Sequence, residues 1–165
     1  MSEKIQIKPT TSDFSASFRK IKQKLSKKLK NVEIHHVGST AIPNLGGKNF
    51  LDVLIVCTKK SDVSTINEQL QAEGFEFKEE TRYDERLFFK KKEENWIHIH
   101  LTWKATSEEK SFLGLRDYLL ANPDEAKKYY LVKRKIIKQV NGNRAKYVEL
   151  KAEYVSELLK QIKSI

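Results

Sequence analysis

Gly38, Ser39, Thr40, Lys48 and Asp52 carry groups that together could hold a phosphate. Gly38 lets the backbone come close to a ligand, and successive N–H groups in such a turn form an anion-binding concavity. Ser39 and Thr40 add hydroxyl donors. Lys48, four residues before Asp52, could reach the same anion. Asp52 itself lies inside the apolar run Phe50-Leu51-Asp52-Val53-Leu54-Ile55-Val56. A carboxylate embedded there must be hydrogen-bonded, paired or metal-bound, because an unpaired buried charge costs several kcal/mol. The motif is short and admits a plainer reading, a strand-ending turn capped by its hydroxyls, with the Asp52 carboxyl satisfied by backbone.

A second group of candidates lies further along the chain. Residues two apart on a strand share a face, so Trp96, His98 and His100 point one way and Ile97, Ile99 and Leu101 the other. Imidazoles titrate near neutrality, which suits His98 and His100 to phosphate contact or general-acid work. They would serve equally as polar members of a half-exposed strand. Arg86 and Lys90 are four apart, hence on one face of a strand flanking Phe88, where they could complete an anion site. Tyr147 and Lys151 share a face at helical i, i+4 spacing, where they could stack on and contact a phosphorylated ligand, although a structural tyrosine with a solvated lysine is the plainer reading. Arg116 beside Asp117 reads as surface charge.

The elements that must position these residues follow from periodicity. Phe14, Phe18, Ile21, Leu25 and Leu29 predict an amphipathic first helix started by Ser12 or Asp13. Residues 32–37 are expected as a short strand delivering the Gly-Ser turn, and residues 50–57 as a buried strand. Ser61 is expected to cap a helix through Ile66 and Leu70 that Gly74 closes. Further strands are expected near residues 75–79, 85–91 and 96–103, with a polar hairpin loop at 91–95. Ser107 is the expected cap of a helix through Phe112, Leu115 and Leu119. Asn122 at the N-cap and Pro123 at the first helical position start another, running to about Gln139. Asn141-Gly142-Asn143 breaks it, and a last helix carries Tyr147, Leu150, Tyr154, Leu158 and Ile162.

Composition narrows the classes. A chain of 165 residues is expected to form a single domain, residues 1–165, with a real core. Lys+Arg 32 against Asp+Glu 22 gives a formal charge of +10, which favours anionic partners such as nucleotides, nucleic acid or acidic surfaces. Much of the excess, Lys20, Lys22, Lys24, Lys27, Lys28 and Lys30, falls on one helix, where solvated surface is the plainer reading. No RNA-recognition motif of the common single-stranded type is present, so a nucleic-acid partner rests on charge alone. The one cysteine, Cys57, excludes an intramolecular disulfide and reads as a buried, inert thiol. No apolar run approaches a membrane span, and the N-terminus lacks the apolar core of a signal peptide. A cytoplasmic protein without a membrane partner is expected.

His36-Val37-Gly38-Ser39-Thr40-Ala41-Ile42-Pro43-Asn44-Leu45-Gly46-Gly47-Lys48, followed by Leu51-Asp52-Val53, resembles the signature of the GrpB-like proteins, a family with the polymerase-β-type nucleotidyltransferase fold. Arg86-Leu87-Phe88-Phe89-Lys90 is similar to that family's aromatic strand, and His98-Ile99-His100-Leu101 to its His-x-His strand. Leu115-Arg116-Asp117-Tyr118-Leu119, Asn122-Pro123, Ala126, Tyr129, Lys133, Tyr147 and Lys151 follow at family spacing. The resemblance implies an α/β (α+β) fold, a nucleotidyltransferase-like mixed β-sheet flanked by helices, with a helical C-terminal part. It also implies that the His98–His100 strand lies close to the Asp52 strand.

Nucleotidyltransferases of this superfamily carry Gly-Ser, then Asp-x-Asp or Asp-x-Glu, and hold metal ions on those acids. Here Asp52-Val53-Leu54 has leucine in place of the second acid. His35 stands where an acid is expected, and Asn44 and Asn49 where glycine and proline are usual. Asp52, His98 and His100 could together hold a divalent metal, Mg or Mn or, with two imidazoles, Zn. The function implied is nucleotidyl transfer from a nucleoside triphosphate to an acceptor, with Gly38, Ser39, Thr40, Lys48, Arg86 and Lys90 on the nucleotide. The alternative is a non-catalytic nucleotide- or phosphate-binding regulatory module.

Overall fold

The computed structural model describes residues 4–9, 14–81 and 83–163. Its elements run α1 (Phe14–Lys28), β1 (Val32–Val37), β2 (Leu51–Cys57), α2 (Val63–Ala72), β3 (Glu76–Phe77), β4 (Leu87–Lys92), β5 (Trp96–Trp103), α3 (Ser107–Ala121), α4 (Pro123–Gln139) and α5 (Arg144–Lys163). The strands form one mixed sheet in the order β1-β2-β5-β4-β3, with β2 parallel to β5 and the other pairs antiparallel. This is the expected α/β (α+β) architecture.

Alternation along the strands divides the sheet into two faces. Ile34, Val53, Ile55, Ile97, Ile99 and Leu101 pack with Phe14, Ile21 and Leu25 of α1 and with Ile66 and Leu70 of α2, forming the main core. Each such side chain contributes about 1.5–3 kcal/mol on burial. The opposite face carries Asp52, Leu54 and Val56 of β2 and His98, His100 and Thr102 of β5. Its dry end is Val37, Leu54 and Val56 under Phe112 and Leu113 of α3. The helical C-terminal layer then packs Leu119, Ala126 and Tyr129 with Ile42 and Leu45, leaving a cleft between that layer and the polar end of the sheet.

Helix ends show where local reading succeeds and where it slips. Ser12 and Asp13, the expected caps of α1, lie outside the described residues. Gly74 closes α2 with φ 88, its N–H bonded to Gln71 O at 2.9 Å and that of Phe75 to Leu70 O at 3.1 Å. This paired arrangement satisfies the last helical carbonyls. Ser61 does not cap α2. It sits inside a 3-10 turn, Lys60–Asp62, and the helix starts on Val63. The cap of α3 is Thr106, whose hydroxyl oxygen accepts from the Glu109 N–H at 3.1 Å. Ser107, one residue on, instead donates its N–H and hydroxyl to the Glu85 carboxylate. Asn122 holds the expected N-cap position, but its side-chain amide donates back to Tyr118 O at 2.8 Å. Cys57 is buried, and burial, with a smaller effect of Asp62, pushes its thiol up to about 11. Among the described residues no helix is long and apolar enough to cross a membrane.

Candidate functional site

The site starts where β1 ends. Gly38 adopts φ 75 and ψ -172, and a Cβ added there would lie 2.6 Å from Asp52 Oδ2 and 2.9 Å from Asp52 Cβ. Backbone sign and close approach both demand glycine. Gly38→Ala should therefore destabilise the fold by about 2–4 kcal/mol, from strain at positive φ plus overpacking. A chain of this size would lose roughly 4–16 °C in Tm. Pairing it with Asp52→Gly should restore part of that loss by removing the clash. A double variant no more stable than Gly38→Ala would show that Asp52 does not crowd this turn.

Ser39–Ala41 forms a 3-10 turn closed by Ala41 N–H to Gly38 O at 3.1 Å. Within it, Thr40 is tied into the scaffold. Its hydroxyl donates to Phe50 O at 3.3 Å and lies 3.0 Å from His36 Nε2, which must then be the donor. The His36 ring stacks on Phe18 at 4.9 Å, and burial pushes its pKa down to about 4. Ser39 is held differently. Lys133, 1% exposed, donates to Ser39 Oγ at 2.7 Å and to Gly46 O at 2.6 Å, which leaves the Ser39 hydroxyl proton free for a ligand. Burial first, then Lys151 and Lys48, push the Lys133 ammonium down to about 7. Lys48 lines the same cleft, 5.7 Å from the Phe50 ring and 5.8 Å from that of Tyr147. Burial, followed by repulsion from Lys151, pushes it down to about 8.

The connection carrying these residues turns at Asn44 and Asn49, with φ 59 and 57. Asparagine tolerates that left-handed conformation, and at Asn49 a proline ring would forbid it. The asparagine there accompanies a local backbone that proline could not adopt.

Asp52 faces β5 in direct register with His98. Its Oδ1 lies 3.3 Å from His100 Nε2 and 3.6 Å from His98 Nδ1, and its side chain keeps 26% exposure to the cleft. Burial alone would raise its pKa. The hydrogen bonds from His100 and His98 prevail and hold the carboxyl well below the usual range. On the far side of His100, Arg86 Nη1 is 2.6 Å from Nδ1. A guanidinium can only donate, so Nδ1 accepts, and the proton of a neutral ring sits on Nε2, directed at Asp52. Burial, reinforced by Arg86, agrees with a neutral ring, lowering the His100 pKa despite Asp52. Arg86 is itself set 3.7 Å from the Tyr83 ring and 3.2 Å from Glu108.

The structure thus brings Asp52, His98 and His100 together, but as a hydrogen-bonded cluster. Both nitrogens of His100 are engaged, so it has no lone pair left for a metal, and Asp52 with His98 makes only two ligands. Leu54, in the position of a second acid, is fully buried against Val37, Val56, Phe112 and Leu113. Among the described residues no group of three His, Cys, Asp or Glu is placed to hold a metal ion. The donor set does not fit the two-metal arrangement. Lys90 also departs from the site: opposite His98 in register, it lies over the Trp96 ring at 5.2 Å and does not line the cleft.

The cleft has a volume of about 670 Å³. Gly38, Ser39, Lys48, Asp52, Arg86, His98 and His100 come together on its sheet side. Arg116, expected as surface charge, Lys151, weighed with Tyr147 as a phosphate contact, and Lys133 and Arg144, for which no role is expected, enter from the helices. Lys133 had a signal that could have found it. Ala126, Tyr129, Lys133 and Ile136 form the buried stripe of α4, so a lysine occupies a core position. Among the described residues no carboxylate pairs with Lys48, Lys133, Arg144 or Lys151.

Comparison with known proteins places this geometry in context. A family model described as GrpB protein matches residues 4–161. The UPF0157 protein YqkA of Bacillus subtilis is 33% identical over 125 residues, a match covering 75% of this chain and 36% of YqkA. The chain therefore spans little more than a third of that relative. The crystal structure of GrpB from Enterococcus faecalis superposes with a TM-score of 0.81 at 24% identity, covering 95% of this chain and 96% of that one. A crystal structure of Cid1 poly(U) polymerase bound to MgATP gives a TM-score of 0.52 at 18% identity over 76% of this chain and 43% of Cid1. That likeness shows the nucleotidyltransferase-type fold.

Proposed function

The chain belongs to the GrpB family, and from that premise we propose that its cleft binds the phosphate chain of a nucleotide or a similar phosphorylated small molecule. One observation carries this reading. Among the described residues no carboxylate makes an ion pair with Lys48 or Lys133, which face the cleft and are held below the ordinary ammonium range by burial and by neighbouring cations despite the Asp52 charge. Like charges gathered in a partly dry site are stabilised by an anion placed between them. Ser39 then donates its hydroxyl, Lys48, Lys133, Arg144 and Lys151 meet the phosphates, and Arg86 sits at the Asp52 end. A volume of about 670 Å³ matches a small-molecule site. Since the cleft draws on the sheet and on α3–α5 alike, the chain reads as one domain.

Nucleotidyl transfer is the second reading. It is favoured by the Asp52 carboxylate pressed against the Gly38 turn, with Ser39 following, on a nucleotidyltransferase-type fold. Leu54 weighs against it. Thermal shifts with ATP, GTP, CTP and UTP, with and without Mg²⁺, Mn²⁺ or Zn²⁺, test both readings on wild type and Asp52→Asn. A ligand at 100 times its Kd should add about 2.7 kcal/mol of stability. Stabilisation that survives Asp52→Asn supports phosphate binding, and metal-dependent stabilisation lost in that variant supports transfer. No shift with any nucleotide would sink both.

Binding should also depend on pH. With Lys133 near 7 and Lys48 near 8 in the free protein, an anion raises both values, so binding takes up protons and weakens as pH climbs from 7 to 9. The free protein behaves oppositely: the unfolded chain binds more protons than the folded one between those values and the ordinary lysine pKa. The contribution of these two groups to stability therefore rises with pH in that window. Calorimetry at pH 8 in two buffers of different ionisation enthalpy would show the uptake. Identical heats in both would contradict it.

A further inference from the structure

We propose that the cleft holds the phosphate chain as the free anion, its charge met by lysine and arginine side chains where a two-metal site would use magnesium. This rests on the phosphate-binding reading and adds to it the form of the ligand, a metal-free polyphosphate.

A two-metal site needs several carboxylates facing the phosphates. This cleft presents Asp52, while the next residue on its face of β2 is Leu54, sealed beneath Phe112 and Leu113. Histidine cannot make up the difference. His100 Nε2 carries its proton towards Asp52 because Arg86 Nη1 occupies Nδ1 at 2.6 Å. Freeing Nε2 for a metal would move that proton onto Nδ1, facing a guanidinium that can only donate. Glu108, the other carboxylate lining the cleft, sits 3.2 Å from Arg86 Nε and is bound to that pair.

Positive charge, by contrast, is abundant. Lys48, Lys133, Arg144 and Lys151 line the cleft without carboxylate partners among the described residues, and Lys133 is fixed on Ser39 Oγ and Gly46 O. Magnesium bound to a nucleotide cancels phosphate charge that these side chains are placed to meet. Magnesium should therefore weaken binding and its removal by a chelator strengthen it, the reverse of what a metal-dependent site shows.

The test is calorimetric titration of ATP and of tripolyphosphate into the full chain, once in excess EDTA and once in excess MgCl₂. Binding in EDTA should be the tighter, by roughly tenfold, the worth of one charge-assisted contact. In Lys48→Gln, a cleft variant outside the apolar core, the EDTA affinity should fall and the two arms should converge. Arms that stay as far apart as in wild type would count against the proposal. Binding that appears only with MgCl₂ would overturn it and leave phosphate binding intact. No binding of either ligand in either arm would overturn the phosphate-binding reading and this inference with it.

Discussion

Leu54→Asp, which writes a second acid into β2, should unfold the protein instead of creating a metal site. Leu54 has 0% exposure and packs against Val37, Val56, Phe112 and Leu113. Removing a leucine from such a site costs about 2–5 kcal/mol. A carboxylate left there without a partner costs several more, or is forced to protonate. Domains of this kind hold only about 5–15 kcal/mol in total, so most of the variant should be unfolded at room temperature. Far-UV circular dichroism and a thermal melt would show it directly. A variant with the wild-type Tm that gained magnesium-dependent stabilisation would mean that this face of the sheet is a site and not a core.

The second large effect is on binding. Lys133→Met removes the deepest cation of the cleft, the one on Ser39 Oγ and Gly46 O. A charge-assisted contact to phosphate is worth about 1.5–3 kcal/mol, so the Kd for tripolyphosphate should rise roughly 10- to 100-fold. Stability should change much less. Relief from burying an ammonium offsets the loss of a donor to the two oxygens, leaving a net change within about 2 kcal/mol. Titration calorimetry with a parallel melt separates the two. An unchanged Kd with a large fall in Tm would make Lys133 a structural lysine.

How much of this was legible in the sequence differs residue by residue. The alternation Trp96, His98, His100 against Ile97, Ile99, Leu101 sorted the faces of β5 correctly, because a strand repeats every two residues regardless of its partners. That β5 lies beside β2 came from the family resemblance, since pairing between residues nearly fifty positions apart leaves no local trace. Arg86 and Lys90 show the limit of spacing. Both start from the face that carries Phe88, yet the long Lys90 side chain settles over Trp96 while Arg86 reaches His100. Lys133 was masked by its neighbours. In α4 it stands among Lys127, Lys128, Lys135 and Lys138, and only its register with Ala126, Tyr129 and Ile136 separates it from them. Ser107 is the expected cap of α3, whereas the Glu109 three residues after Thr106 is the signal that points to Thr106 instead.

An anion completes this cationic cleft, and lysine side chains report on it most directly. The measurement is the pH titration of the lysine Cε resonances of isotopically labelled protein by NMR, free and saturated with tripolyphosphate, assigned with Lys48→Gln and Lys133→Met. In the free protein the Lys133 and Lys48 resonances should titrate near 7 and 8. With ligand bound, both should rise towards the ordinary value of about 10.4. Resonances that titrate at that ordinary value in the free protein, or that do not move when tripolyphosphate is added, would contradict it.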